Sequence, residues 1–285
     1  MKNLLLCIIT LTVLSCGKNK KEENQPINEA PKENTENIAV EPDKGIGDGA
    51  PSLTNLYIKK IEEAHKKSEF LNHKAVSFNT NIFFGGKQRL DAKITMLTNS
   101  TKIRIDKKDG STLIYDGKKV FLSPKEANDK GARFDMFTWS YFFGLPYKLN
   151  DPGTKLELTE PKPLDGVEHQ TSSLSFEKGT GDAPDDWYVI YTDQLSNTVK
   201  AAAYIVTFGN NGDTSKAEGD PHAIYYKNFK TTEGIPFATK WEFYEWTQEK
   251  GITNKIGEAT ITDITFLKAQ DVSFKISENT KEIKL

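Results

Sequence analysis

The 285 residues carry 38 Lys and Arg against 40 Asp and Glu, a formal net charge of -2, with both signs mixed along the chain. A nucleic-acid binder normally concentrates basic charge on one face, so this balance argues against that class. The two cysteines, Cys7 and Cys16, sit near the start, and the chain beyond them has no thiol to offer a disulfide, a metal or catalysis.

A targeting pattern comes first. Lys2 gives a short positive region, Leu4 to Leu14 is apolar apart from threonine, and Ser15 is the small residue expected before a cleavage point. At about 11 residues the run falls well short of the roughly 20 that a membrane-spanning helix needs. Residues 1–15 therefore read as a secretory signal. Val13-Leu14-Ser15-Cys16 resembles the bacterial lipobox, which implies lipid attachment at Cys16 and cleavage just before it. Each buried methylene contributes about 0.8 kcal/mol, so two or three acyl chains hold a protein firmly on a membrane surface without crossing it. The segment after Cys16 has no Asp beside the cysteine, which by analogy favours the outer membrane; periplasmic face and cell surface both remain open.

Residues 16–51 lack aromatics and periodicity and are rich in Lys, Glu, Asn, Pro and Gly. Such a segment buries too little apolar area to offset the entropy of ordering, and it reads as a flexible tether. Its span as a coil is roughly 30 Å.

The folded part is expected over residues 52–285. It opens with a helix: Ser52 or Thr54 caps, and Leu53, Leu56, Tyr57, Ile61 and Ala64 recur at three- and four-residue spacing. His65 falls near the polar side of its last turn, where a cation suits the helix dipole. The period then changes to two. Gly85-Gly86 is a hairpin signal, because both glycines accept positive φ, and Asp109-Gly110 and Asp116-Gly117 continue a meander. Further alternating runs bring the total to about eleven or twelve strands, nearly all adjacent in sequence, as in one large antiparallel sheet. The segment "KGARFDMFTWSYFFGLPYKLNDPG" interrupts them. Its aromatics fit a helix ended by Gly144 and Pro146, and they also fit a buried strand with a loop after it.

Several strands are apolar on both faces. Trp187, Val189 and Tyr191 alternate with Tyr188 and Ile190, and Trp241 and Phe243 with Tyr244 and Trp246. Both faces need shelter, and few helices are available to give it. A wide sheet that curls around its helices satisfies this, and so does a closed sandwich.

Taken in order, the capped helix, the meander with "YDGKKVFL", the aromatic segment, "DWYVIYTD", "YIVTFG", "EGIPFATKWEFYEW" and "ATITDITFLKA" resemble the lipoprotein-localisation (LolA/LolB) superfamily. The closer likeness, through "FFGLPYKLNDPGTKLEL" and "GDAPDDWYVIY", is to uncharacterised Bacteroidota lipoproteins. The resemblance covers roughly residues 52–276 and lies in pattern and order, without a chemical motif. It implies a mainly β fold with a few helices: an incurved antiparallel half-barrel of about eleven strands closed by helices, whose concave face holds acyl chains. The lipobox departs from the soluble carriers of that superfamily and implies a tethered binder.

On this footing Phe134, Phe137, Trp139, Phe142 and Phe143 are candidates for a plug or lid. Trp187, Val189, Tyr204, Val206, Trp241 and Phe243 are candidates for lining, with the concave face of each strand left open by one register. The expected partners are a hydrophobic ligand or lipid and, through the anchor, a membrane; no cofactor, metal, nucleic acid or particular protein partner is indicated. A non-catalytic interaction lipoprotein with a filled core is the alternative. HExxH, GxSxG, Walker and CxxC motifs are all missing, and the four histidines are dispersed. Glu168 and His169, as neighbours on a strand, face opposite sides. Asp182, Asp185 and Asp186 lack the EF-hand spacing and read as turn residues.

Overall fold

The computed structural model describes residues 50–128, 130–209 and 213–284. The expected signal region, Cys16 and almost all of the tether lie outside them.

Helix α1 (Leu53–Ala64) begins where Ser52 accepts a hydrogen bond from the Asn55 amide at 3.1 Å. Its buried face is Tyr57, Ile58 and Ile61, whereas Leu53 and Leu56 are exposed. The helix is thus rotated from the expected face, and His65 turns inward instead of lying on the polar side. The His65 Nε2 accepts from the Val199 amide at 2.9 Å, and burial, with Lys200 adding, brings its pKa down to about 4. The helix ends on a neutral acceptor rather than a cation. Lys66 takes a left-handed conformation and leads into a short helix α2 (Lys67–Asn72), which buries Phe70 against Tyr147 in a stack at 3.9 Å.

Strands β1 (Ala75–Phe84) and β2 (Lys87–Leu97) form the expected hairpin, with Gly85 and Gly86 both at positive φ. The meander continues through β3 (Ile103–Lys107), β4 (Thr112–Tyr115) and β5 (Val120–Ser123). The aromatic segment is helical, as α3 (Ala132–Gly144). After it come β6 (Thr154–Leu164), β7 (Val167–Phe176), β8 (Tyr188–Thr192) and β9 (Val199–Tyr204), then a single turn α4 (Ser215–Glu218). The chain closes with β10 (His222–Thr232), β11 (Ile235–Thr247), β12 (Gly251–Leu267) and β13 (Lys281–Ile283).

All thirteen strands of the described residues belong to one open antiparallel sheet, in the order β13-β5-β4-β3-β2-β1-β12-β11-β10-β9-β8-β7-β6. Most pairs join neighbours in sequence. The two that do not are β1 with β12, from Ala75↔Leu267 to Phe84↔Gly257, and β5 with β13, so that the consecutive β5 and β6 lie toward opposite edges.

One helix establishes the curvature. Phe137 of α3 meets Tyr115 on β4 at 5.1 Å between ring centroids, and Tyr141, one turn on, meets Phe176 on β7 at 6.4 Å. In a flat sheet β4 and β7 would lie about 43 Å apart at ~4.8 Å per strand, while a helix with its side chains is only ~10 Å across. The sheet must therefore bend around α3, and a sandwich of two separate layers is not formed.

The helix is fixed in the hollow by charge as well as by packing. Asp135, fully buried, accepts from Arg89 of β2 at 2.8 Å, Lys107 of β3 at 3.0 Å and the Trp139 indole at 2.9 Å. A buried carboxylate is tolerable only with such partners. Gly131 supplies the left-handed turn before α3, where a Cβ would come within 3.0 Å of Arg89 Nη2.

Apolar residues on the outer face form a second, smaller cluster around Tyr191, Ala201, Ala203, Ala223 and Trp246. Its cover comes from β6. A bulge between Thr159 and Lys162 puts one extra residue into that strand, so Leu156 packs inside and Leu164 outside despite their even spacing.

Candidate ligand cavity

Helix α3 has two aromatic faces. Met136, Trp139 and Phe143 sink into the main core, Phe143 lying between Phe78 at 3.9 Å and Phe237 at 5.2 Å. Phe134, Phe137 and Tyr141, spaced three and four apart, are only half-buried and border a cavity of about 350 Å³. That volume lies within the ~300–1,000 Å³ typical of small-molecule sites. The facing wall comes from the other half of the sheet: Phe176 of β7, Tyr188 of β8, Tyr204 of β9 and Val206 just beyond. Tyr188 faces inward because β8 alternates; Trp187 and Val189 pack on the outer cluster.

Of the residues expected to hold a ligand, Phe134, Phe137, Phe142, Tyr204 and Val206 border this cavity. Trp139, Phe143, Trp241 and Phe243 lie in the main core, where Phe243 meets Phe84 at 4.9 Å and Trp241 meets Tyr226 at 6.1 Å. Trp241, Phe142 and Phe143 also edge a hollow of about 20 Å³, close to the size of one water. Trp187 and Val189 sit on the opposite side of the sheet, the one-register inversion that two-sided apolar alternation permits. Cys16 lies outside the described residues.

Of the polar groups around the cavity the sequence singles out Asp182 and Asp186, as turn residues, and not Arg133, Lys148 or Tyr141. Arg133, in the first turn of α3, forms a two-point pair with Asp182, one bond being Nη2 to Oδ1 at 2.8 Å, and donates to the Ile283 carbonyl at 3.2 Å. It thereby ties α3 to the β7–β8 loop and to β13. Lys148 reaches Asp151 at 3.4 Å. Asp186 accepts from the Thr207 amide at 2.8 Å and hydroxyl at 2.7 Å, both on Oδ1. Burial raises its carboxyl; the bonds from Thr207 only partly offset this, and Asp185 adds to the rise. The Tyr141 hydroxyl is shut off from solvent without a hydrogen-bond partner among the described residues, and burial, with Asp151 and Asp186, pushes its ionisation far upward. Tyr188 and Tyr204 are raised by burial in the same way.

Asp182 is thus committed to Arg133, and Asp186 holds Thr207 through one of its two oxygens. Among the described residues no group of three or more His, Cys, Asp or Glu is placed to hold a metal ion. A helical spacing signal was available for the cavity face, since Phe134, Phe137 and Tyr141 recur at three and four. No comparable signal marks Asp186, whose partner Thr207 lies beyond two further strands, β8 and β9.

No family model and no curated protein matches the chain. Solved structures do. A LolA superfamily protein from Nitrosomonas europaea is similar at 9% identity over 74% of this chain and 95% of its own, with a TM-score of 0.48. A putative outer membrane lipoprotein-sorting protein domain from Vibrio parahaemolyticus is similar at 10% identity, over 75% and 94%, with a TM-score of 0.47. A DUF1329 family protein from Desulfovibrio piger is similar at 13% identity, over 73% and 92%, with a TM-score of 0.39. At such identities and scores the function has to be read from the cavity itself.

Proposed function

We propose that this protein is a non-catalytic, membrane-anchored binder that holds an acyl chain or another apolar ligand between α3 and the β7–β9 wall. The observation that carries this is a cavity of about 350 Å³ walled by half-buried aromatics of α3 on one side and by Phe176, Tyr188 and Tyr204 of the sheet on the other. Each ligand methylene placed there gains about 0.8 kcal/mol from leaving water, before the cost of ordering is subtracted. Anchoring comes from the lipobox-like Cys16, which puts the domain within reach of the outer membrane and its lipids; no described helix is long and apolar enough to cross a membrane. Lipid or lipoprotein traffic at that membrane is the process the site suits.

Solvent extraction of the purified full chain, with mass spectrometry of the extract, is expected to release a non-covalent lipid. Val206→Phe, which extends a side chain into the cavity, is expected to lower that yield and weaken an apolar fluorescent probe about tenfold with little change in Tm. An empty extract together with probe binding that Val206→Phe leaves untouched would instead favour an interaction lipoprotein with a filled core.

A further inference from the structure

The charges around the cavity do not balance. Arg133 is taken by Asp182 and Lys148 by Asp151. Asp186 has only Thr207, and both of its bonds fall on Oδ1, so Oδ2 carries no bond from a described residue. Asp185 beside it adds negative charge. The buried hydroxyl of Tyr141, which lines the same cavity from α3, has no hydrogen-bond partner among the described residues. Two acceptor oxygens are therefore left over among the π faces of Phe176, Tyr188 and Tyr204. Aromatic faces attract cations, and a leftover carboxylate repels an anionic head while it welcomes a cationic donor.

Building on the apolar-ligand reading above, we propose that the cavity selects an amphiphile with a primary ammonium head. The head donates to Asp186 Oδ2 and Tyr141 Oη, and the tail runs along Phe134, Phe137 and Phe176. Desolvation normally penalises a buried charge, and here two charges of opposite sign neutralise each other in one apolar site. A fatty acid of equal length would set its carboxylate against Asp186. A neutral alcohol offers the same oxygens one uncharged donor and lacks the charge attraction.

The test uses decylamine, decanol and decanoate against the full chain at neutral pH, with displacement of an apolar fluorescent probe as readout. Decylamine is expected to bind about tenfold tighter than decanol, and decanoate weakest. Asp186→Asn, which keeps the acceptor for Thr207, is expected to erase most of the advantage of the amine over decanol. Tyr141→Phe, which preserves the packing, is expected to cost the amine several-fold and the alcohol less. Equal binding of amine and alcohol, or a preference for decanoate, overturns the head assignment while leaving the apolar cavity standing. If none of the three binds, the cavity reading falls and the head assignment falls with it.

Discussion

Its Nε2 hydrogen-bonded to the Val199 amide in the core, His65 takes a proton only at the expense of the fold. Its pKa is about 4 in the folded chain against 6.5 for a free histidine. Above pH 6.5 it is neutral in both states, and its contribution is complete. As pH falls from 6.5 toward 4 the unfolded chain binds a proton that the folded chain refuses, so stability drops by an amount approaching ~3 kcal/mol. Urea unfolding of the wild type at pH 7 and pH 4.5 is expected to show this loss, and His65→Gln is expected to show a shallower one. Parallel pH profiles for the two proteins would mean that His65 titrates normally. Glu242, on the outer face, has the opposite balance. Burial alone would raise its carboxyl, but hydrogen bonds from Lys227, Lys255 and Lys240 hold it well below the usual carboxylate range.

At the scale of elements, α3 decides whether the cavity exists, and Asp135 decides where α3 sits. Asp135→Ala strands Arg89, Lys107 and the Trp139 indole without their shared acceptor. Removing one partner from a buried charge network costs about 3–5 kcal/mol, so the denaturation midpoint is expected to fall accordingly and apolar-probe binding to weaken with it. A loss under ~1 kcal/mol would place the helix's anchorage in its aromatics alone. The strands were legible because period-two alternation and Gly-containing turns are local signals; α3 was legible only as one of two readings, since Gly144 and Pro146 end a helix there but its aromatics suit a buried strand as well. Helix α1 was found with its face misassigned, because Leu53 and Leu56 fit an apolar stripe as well as Ile58 does, and a buried neutral histidine looks polar in a sequence. The short α2 and α4 carry too few residues for a period. The inward side of β8 was illegible for another reason: both of its faces are buried, one under α3 and the other under a hairpin that turns over only at the β6 bulge.

The whole molecule is an open sheet, and an open sheet has two edges to protect. At one edge, β6 carries Pro161, Pro163 and alternating Lys and Glu, which discourage a further strand from pairing. At the other, β5 is Val120-Phe121-Leu122-Ser123, free of charge and proline within the strand, and it would be adhesive if left bare. The three residues of β13 cover it, from Lys281↔Leu122 to Ile283↔Val120, with Lys119 and Glu282 adding an ion pair at 2.8 Å. That cover was invisible in the sequence because so short a strand exists only through the edge it meets, where Glu282 pairs with Lys119 across 163 residues of chain. It also reaches the cavity, since the Ile283 carbonyl accepts from Arg133, the residue that holds the β7–β8 loop through Asp182. Deleting residues 279–285 is therefore expected to have two separable effects. The bare β5 edge should drive concentration-dependent association, seen by size-exclusion chromatography with light scattering, and Phe121→Lys in the truncated chain should reverse it by placing a charge on the edge. The loosened Arg133 should weaken apolar-probe binding whether or not Phe121→Lys is present. A truncated chain that stays monomeric at high concentration would show that β5 needs no cover, and an unchanged probe affinity would separate the C-terminal strand from the cavity.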